Sequence, residues 1–291
     1  MYYAVCSPPL KTIILKNDSS QVYLILHICI MDVDYSFDGP SGEIAFVIAL
    51  TTLLSVFSWW VMDTSAVKRW LFHRVKGEQA SIVHVMGTRY IGALAMGVGG
   101  LIGYFVFVED PSLERIGVYW NSETWHIGLL AQIVIFIGVM LAVYPSRKKK
   151  EHHRLYPTVR AKYWTPRLIG SYVFSWFFYM VCYEILFRGI LFFTIYGYLG
   201  FWPAAVISTA IYMTIHMPKS YAETWGAIPP GLVMAWWTAE TGTIWVAIMT
   251  HFSMSAFNFL FTMRYRINVR KDIVIVPSRN YADHNEFLSG D

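Results

Sequence analysis

Charge is what this chain is short of. Asp, Glu, Lys and Arg make up 14% of its 291 residues, where an ordinary soluble domain carries about 25%. Cysteine is scarce too. Cys6, Cys29 and Cys182 are odd in number, widely spaced and without a CxxC pair, so neither a disulfide framework nor a zinc knuckle is expected. Cys182 lies in an apolar run and reads as a small buried hydrophobe. No HExxH occurs, and no internal repeat suggests an inverted-repeat transporter. A standard signal peptide is also missing. Lys11 and Lys16 precede an apolar run, Val22–Met31, of only ten residues, and Asp32, Asp34 and Asp38 follow it. Residues 1–40 read as an extramembrane segment, or as an extension from an upstream start codon.

Apolar blocks dominate what is present. Hydrophobic residues make up 56% of the chain, with twelve Trp and nineteen Tyr, some of them suited to the headgroup level. Several stretches approach the ~20 residues that cross a hydrocarbon core. The expected spans are Glu43–Val61, a Gly-rich Thr88–Val108, Thr124–Tyr144, Leu168–Tyr196 (long, with a tilt or break near Gly189), Ala204–His216, Thr224–Ala239 and Thr243–Met263. The glycines of the second span, Gly97, Gly99, Gly100 and Gly103, allow close helix contact. Glu43 and Glu240 fall at span ends and read as solvated, and Arg89 reads as snorkelling.

Basic residues fall between the spans, which indicates topology rather than nucleic-acid binding. Lys68–Lys76, Arg147–Arg167, Lys219 and a tail with Arg264, Arg266, Arg270 and Lys271 alternate onto one side. The positive-inside rule then puts the N-terminus outside and the C-terminus in the cytoplasm. The expected fold is all-α, a polytopic membrane protein of about seven (seven to eight) transmembrane helices. Its organisation is an extramembrane segment (1–40), three helices and a basic cytoplasmic loop (41–167), a four-helix core (168–263) and a cytoplasmic tail (264–291).

An ionisable group inside a span is costly and marks a candidate site. Glu184 and Arg188 are four residues apart, one helical turn on one face, where they can neutralise each other. His216 closes the fifth span, with Tyr212 one turn before it and Glu223 beyond it. His251 sits in the seventh span, with Ser255 and Asn258 on later turns. A carboxylate with imidazoles can activate water, and a donor pair can hold an oxyanion. Glu184, His216 and His251 are also zinc-ligand types, so a metal site is the alternative, although three separate helices would supply it.

Three stretches carry a resemblance: Tyr183-Glu184-x-x-x-Arg188, Tyr212-x-x-x-His216 and His251-x-x-x-Ser255, within "EILFRGIL", "HMPKSYAET" and "GLVMAWWTAETGTIWVAIMTH". The chain resembles the CAAX prenyl endopeptidase and bacteriocin-processing (CPBP/Abi) family of intramembrane glutamic proteases, marked by EExxxR, FxxxH and HxxxN on successive helices. The resemblance covers about residues 170–262 and not the first three spans. It implies an intramembrane endopeptidase of a prokaryotic cell (inner) membrane, acting without a cofactor on a membrane-associated peptide or lipidated protein. By position, Glu184 and His216 would activate water, Arg188 would orient the carboxylate, and His251 with Ser255 would serve the oxyanion.

Three positions depart from the pattern. The first Glu of EExxxR is Tyr183, the Phe of FxxxH is Tyr212, and the Asn of HxxxN is Ser255. Asn258, seven residues from His251, faces the same side and is a substitute donor. Two readings stay open. Either Glu184, supported by Glu223, serves as base, or catalysis is lost and the scaffold binds a partner or gives self-immunity. A transporter or channel ranks below both, because the intramembrane charges gather in one half of the chain. The expected partners are membrane lipids and the substrate, not nucleic acid.

Overall fold

The computed structural model describes residues 11–15, 24–28, 40–61, 64–75, 77–146, 148–217 and 221–276. Among the expected features, Cys6, Lys16, Cys29, the Asp32–Asp38 acids, Lys76, Arg147, Lys219 and the tail beyond residue 276 lie outside these residues. The chain divides into two units, Met1–Asp38 and Gly39–Asp291. In the first, β1 (Lys11–Leu15) pairs antiparallel with β2 (Leu24–Ile28). The apolar run at 22–31 therefore contains a strand, a departure from an all-helical chain.

The second unit is built of helices. They are α1 (Pro40–Val56), α2 (Ser65–Arg74), α3 (Gly77–Phe107), α4 (Trp125–Ser146), α5 (Lys150–Leu155), α6 (Pro166–Leu199), α7 (Phe201–His216), α8 (Tyr221–Gly226), α9 (Ile228–Thr241) and α10 (Trp245–Arg270). Between α5 and α6 lies β3 (Tyr163–Trp164), paired in parallel with β4 (Val274–Ile275) after α10.

Among the described residues four helices, α3, α4, α6 and α10, are long and apolar enough to cross a membrane. Of the other expected spans, α1 has 17 residues, α7 has 16 and α9 has 14, short of the ~20 that a straight crossing takes. One face of α7 and of α9 packs into the protein core, while Trp202 and Val206 of α7 and Trp236 of α9 stay exposed. Ala204, Ala205 and Tyr212 of α7 and Met234 and Ala235 of α9 are buried in the same cluster as the middle of α6.

Helix α6 is the axis of this unit. Its most apolar window is 78% buried, against 19% for α4. Thr165 starts it by accepting a hydrogen bond from Leu168 N at 3.1 Å, and Pro166 follows at the first helical position, where its missing N–H costs nothing. The irregularity expected near Gly189 is present, but the helix does not break. It widens into a π-helix over Ile185–Phe193 and then resumes. Wide turns of this kind re-aim side chains and recur at functional sites. Close contact with α3 depends on Gly97, where an added Cβ would stand 2.6 Å from Cys182 Sγ.

Two polar expectations change. Glu43 is not solvated. It is 4% exposed and accepts from Glu109 N at 2.5 Å, Tyr198 Oη at 2.9 Å and Arg115 Nη2 at 3.3 Å, because the loop after α3 folds over the start of α1. Arg89 does not snorkel. It donates to Ser175 Oγ at 2.9 Å and Thr158 Oγ1 at 2.8 Å, and it lies against the rings of Tyr172 and Trp176. Buried acceptors and two aromatic faces replace the water it would otherwise reach.

The basic connection 148–165 is stitched to several helices. Arg160 N donates to Ser81 Oγ and Lys162 N to Glu78 Oε1, both on α3. Thr158 hydrogen-bonds Tyr172 on α6. His152 Nε2 lies 2.7 Å from Thr262 Oγ1 on α10.

Candidate active site

The middle of α6 supplies Tyr183, Glu184 and Arg188, α7 supplies Ser208, Tyr212 and His216, and α10 supplies His251. Glu184 is the last residue before the helix widens. Its Oε2 lies 3.4 Å from Arg188 Nε, and both side chains are fully buried. Its Oε1 lies 2.6 Å from His251 Nδ1. Arg188 Nη1 donates to Ser208 Oγ at 3.3 Å. The carboxylate thus joins α6 to α10, and Arg188 joins α6 to α7.

The chemistry of this arrangement follows from the donors. With Glu184 ionised, His251 Nδ1 carries the proton it donates, and Nε2 is left as a basic nitrogen. Arg188 offsets the cost of holding a carboxylate away from water. The His251 side chain keeps 7% of its surface exposed and Glu184 none, so the imidazole is the less enclosed member of the pair.

Aromatic rings fix that imidazole. Tyr183 and Tyr212 lie edge-on to His251 at 5.3 and 5.8 Å between centroids. Tyr183 also stacks on Phe187 at 4.3 Å. Its hydroxyl is buried and makes no hydrogen bond among the described residues. The position that carries a glutamate in the EExxxR motif therefore holds a ring packed against the histidine.

The other expected site residues sit apart from the Glu184–His251 contact. His216 ends α7, with Nδ1 3.0 Å from the Tyr212 carbonyl and its ring 4.7 Å from the Tyr212 ring. Tyr212 touches both imidazoles. Glu223, on α8, accepts from Tyr156 Oη at 3.0 Å. Burial pushes the Tyr156 phenol well above its ordinary range, and the Glu223 charge adds to this. Ser255, one turn past His251, lines an apolar notch with Tyr172, Trp176, Phe252 and Phe259. Asn258 Oδ1 accepts from Thr262 Oγ1 at 3.4 Å, within the His152 contact rather than beside Glu184.

The alternative metal-ligand trio of Glu184, His216 and His251 is not assembled. No group of three His, Cys, Asp or Glu side chains among the described residues is placed to hold a metal ion. The three side chains come from three helices, and His216 Nδ1 is engaged by its own backbone.

Two residues escaped the sequence reading. Ser208 lies two turns before His216 on α7, and that spacing was the available signal. Tyr156 lies in an irregular connection, where spacing carries no information.

No match is found among curated proteins or among solved structures. Residues 165–257, the stretch that contributes Tyr183, Glu184, Arg188, Ser208, Tyr212, His216 and His251, match the family model of Rce1-like, type II CAAX prenyl endopeptidases, in agreement with the resemblance carried by the three motifs.

Proposed function

We propose that the protein is an intramembrane endopeptidase, CAAX-protease-like, that hydrolyses a peptide bond of a membrane-associated protein or peptide. The observation that carries this reading is the 2.6 Å contact between Glu184 and His251, inside the segment that matches a protease family. His251 Nε2 takes a proton from water while Glu184 holds the resulting imidazolium. The water oxygen attacks the scissile carbonyl carbon, and His216, beyond Tyr212, donates to the oxyanion. On collapse the proton passes from His251 to the leaving amine. These assignments exchange the roles that the resemblance gives to the two histidines. Ser255 and Asn258 then serve packing and the α10–α5 contact.

The same reading places the chain in a prokaryotic cell membrane with the 148–165 connection and the tail in the cytoplasm. Its partners are membrane lipids and a peptide or lipidated protein, and it needs no cofactor.

The test is cleavage of a mixed peptide library, including farnesylated CAAX peptides, by the purified protein in nanodiscs, read by mass spectrometry. Wild type cleaves, Glu184→Gln and His251→Asn lose cleavage, His216→Ala is strongly impaired, and EDTA has no effect. Cleavage that survives in both Glu184→Gln and His251→Asn overturns the assignment, and loss in EDTA points to a metal.

A second reading, a catalytically inactive member acting as a membrane binding, self-immunity or scaffold protein, is favoured by Tyr183 in place of the motif glutamate. It expects the phenotype to survive Glu184→Gln.

A further inference from the structure

We propose that Ser208 is a positioning residue for the Glu184–His251 pair, acting through Arg188; the proposal rests on the protease reading for its consequence but not for its geometry. Arg188 is fully buried. Among the described residues it makes one hydrogen bond, from Nη1 to Ser208 Oγ at 3.3 Å. Its Nε and Nη2 find no hydrogen-bond acceptor, and the 3.4 Å approach of Nε to Glu184 Oε2 is a charge contact only. The guanidinium also lies 5.7 Å from the centre of the Tyr212 ring, so the serine is its one hydrogen-bonded anchor and the other contacts are attraction without direction.

Ser208 is suited to this task. It is fully buried, and its hydroxyl proton goes to the Ala205 carbonyl at 3.3 Å, which turns an oxygen lone pair toward Arg188. The order of contacts runs Ser208 Oγ, Arg188, Glu184, His251 Nδ1, from α7 through α6 to α10. An ion pair without hydrogen-bond geometry has no directional preference of its own. The serine supplies the direction that places the positive charge against Oε2 and leaves Oε1 for the histidine.

Few other ionisable groups compete at the His251 ring. Glu184, Arg188 and Tyr183 face it from α6, and Tyr212, with His216 behind it, from α7. The neighbouring α4 and α9 carry only His126, Tyr144 and Glu240, all in their end turns.

The experiment is nitrogen-15 histidine NMR of the full chain in nanodiscs. His251→Asn identifies the His251 Nδ1–H resonance, which the short carboxylate contact moves far downfield. In Ser208→Ala the guanidinium loses its anchor, and this resonance moves upfield or broadens beyond detection. In Ser208→Thr, which keeps the hydroxyl, it stays in place. Ser208→Cys, of similar size and a poor acceptor, reproduces the alanine result if alanine folds poorly. In the cleavage assay kcat of Ser208→Ala falls by up to about 100-fold, the cost of a small misplacement of reacting groups, with KM nearly unchanged. An unaltered resonance in a folded Ser208→Ala or Ser208→Cys protein overturns the proposal. A resonance that shifts as described in a protein that cleaves nothing upholds the positioning role and overturns the protease reading alone.

Discussion

Glu184 and Arg188 face each other at 3.4 Å with neither side chain exposed. Breaking such a buried pair from one side leaves an uncompensated charge, which costs about 3–5 kcal/mol. Arg188→Leu is expected to destabilise the protein by that amount in denaturant unfolding from detergent micelles. The double variant Glu184→Gln with Arg188→Leu recovers a large part of the loss, since no unpaired charge remains. A loss below about 1 kcal/mol for the single variant, the range of exposed pairs, contradicts a dry environment for the pair.

Gly97 tests the packing of α3 on α6. A Cβ there would meet Cys182 Sγ at 2.6 Å and Cys182 Cβ at 2.9 Å. Gly97→Ala therefore overpacks the contact and is expected to cost about 1–3 kcal/mol. Cys182→Gly, added to it, restores the space and part of the stability. If Gly97→Ala alone leaves the thermal midpoint unchanged, the two helices do not approach as closely as described.

The parts of this molecule legible in its sequence are those governed by period and by charge inside apolar runs. The Glu184–Arg188 spacing, the Gly-rich face of α3 and the irregularity near Gly189 all follow from helical geometry, and each has its counterpart in the fold. What escaped depends on tertiary partners. Nothing in an apolar run says which of its residues pack on a neighbour, as Ala204 and Tyr212 of α7 and Met234 of α9 do in the cluster with α6. Glu43 and Arg89 were read by their place in a span, yet each is fixed by residues far along the chain, Tyr198 and Arg115 for one, Ser175 and Thr158 for the other. Periodicity placed Asn258 on the His251 face. It does not record that Thr262, one turn on, draws its amide away.

Tyr156 and Glu223 give a test of the 148–165 connection. The phenol donates to the carboxylate at 3.0 Å and so ties this connection to α8. A hydrogen bond to a charged acceptor contributes about 1.5–3 kcal/mol. Tyr156→Phe is expected to loosen the segment locally, so that trypsin cuts at Lys148, Lys149, Lys150 and Arg154 several-fold faster than in wild type. Arg89→Gln, which weakens the separate anchor at Thr158, is expected to add to the effect. Unchanged digestion kinetics in both variants contradict the stitched connection.

The pH dependence of stability should carry the mark of His152. Burial, with a smaller contribution from neighbouring His153, lowers its pKa from 6.5 to about 4. The unfolded chain takes up a proton near 6.5, whereas the folded protein resists it until about 4. By linkage, stability rises with pH wherever the unfolded state holds more protons. The contribution of the neutral ring, which lies 2.7 Å from Thr262 Oγ1, is therefore complete above pH 6.5 and is lost as pH falls toward 4. The ring is only part-buried, so solvent screening keeps the effect moderate. His152→Gln keeps a polar group near Thr262 and removes the titration. Thermal midpoints between pH 4 and pH 8 should fall more steeply for wild type than for His152→Gln across that window. Parallel curves mean that the acid sensitivity arises elsewhere, and that the α5–α10 contact does not depend on a neutral imidazole.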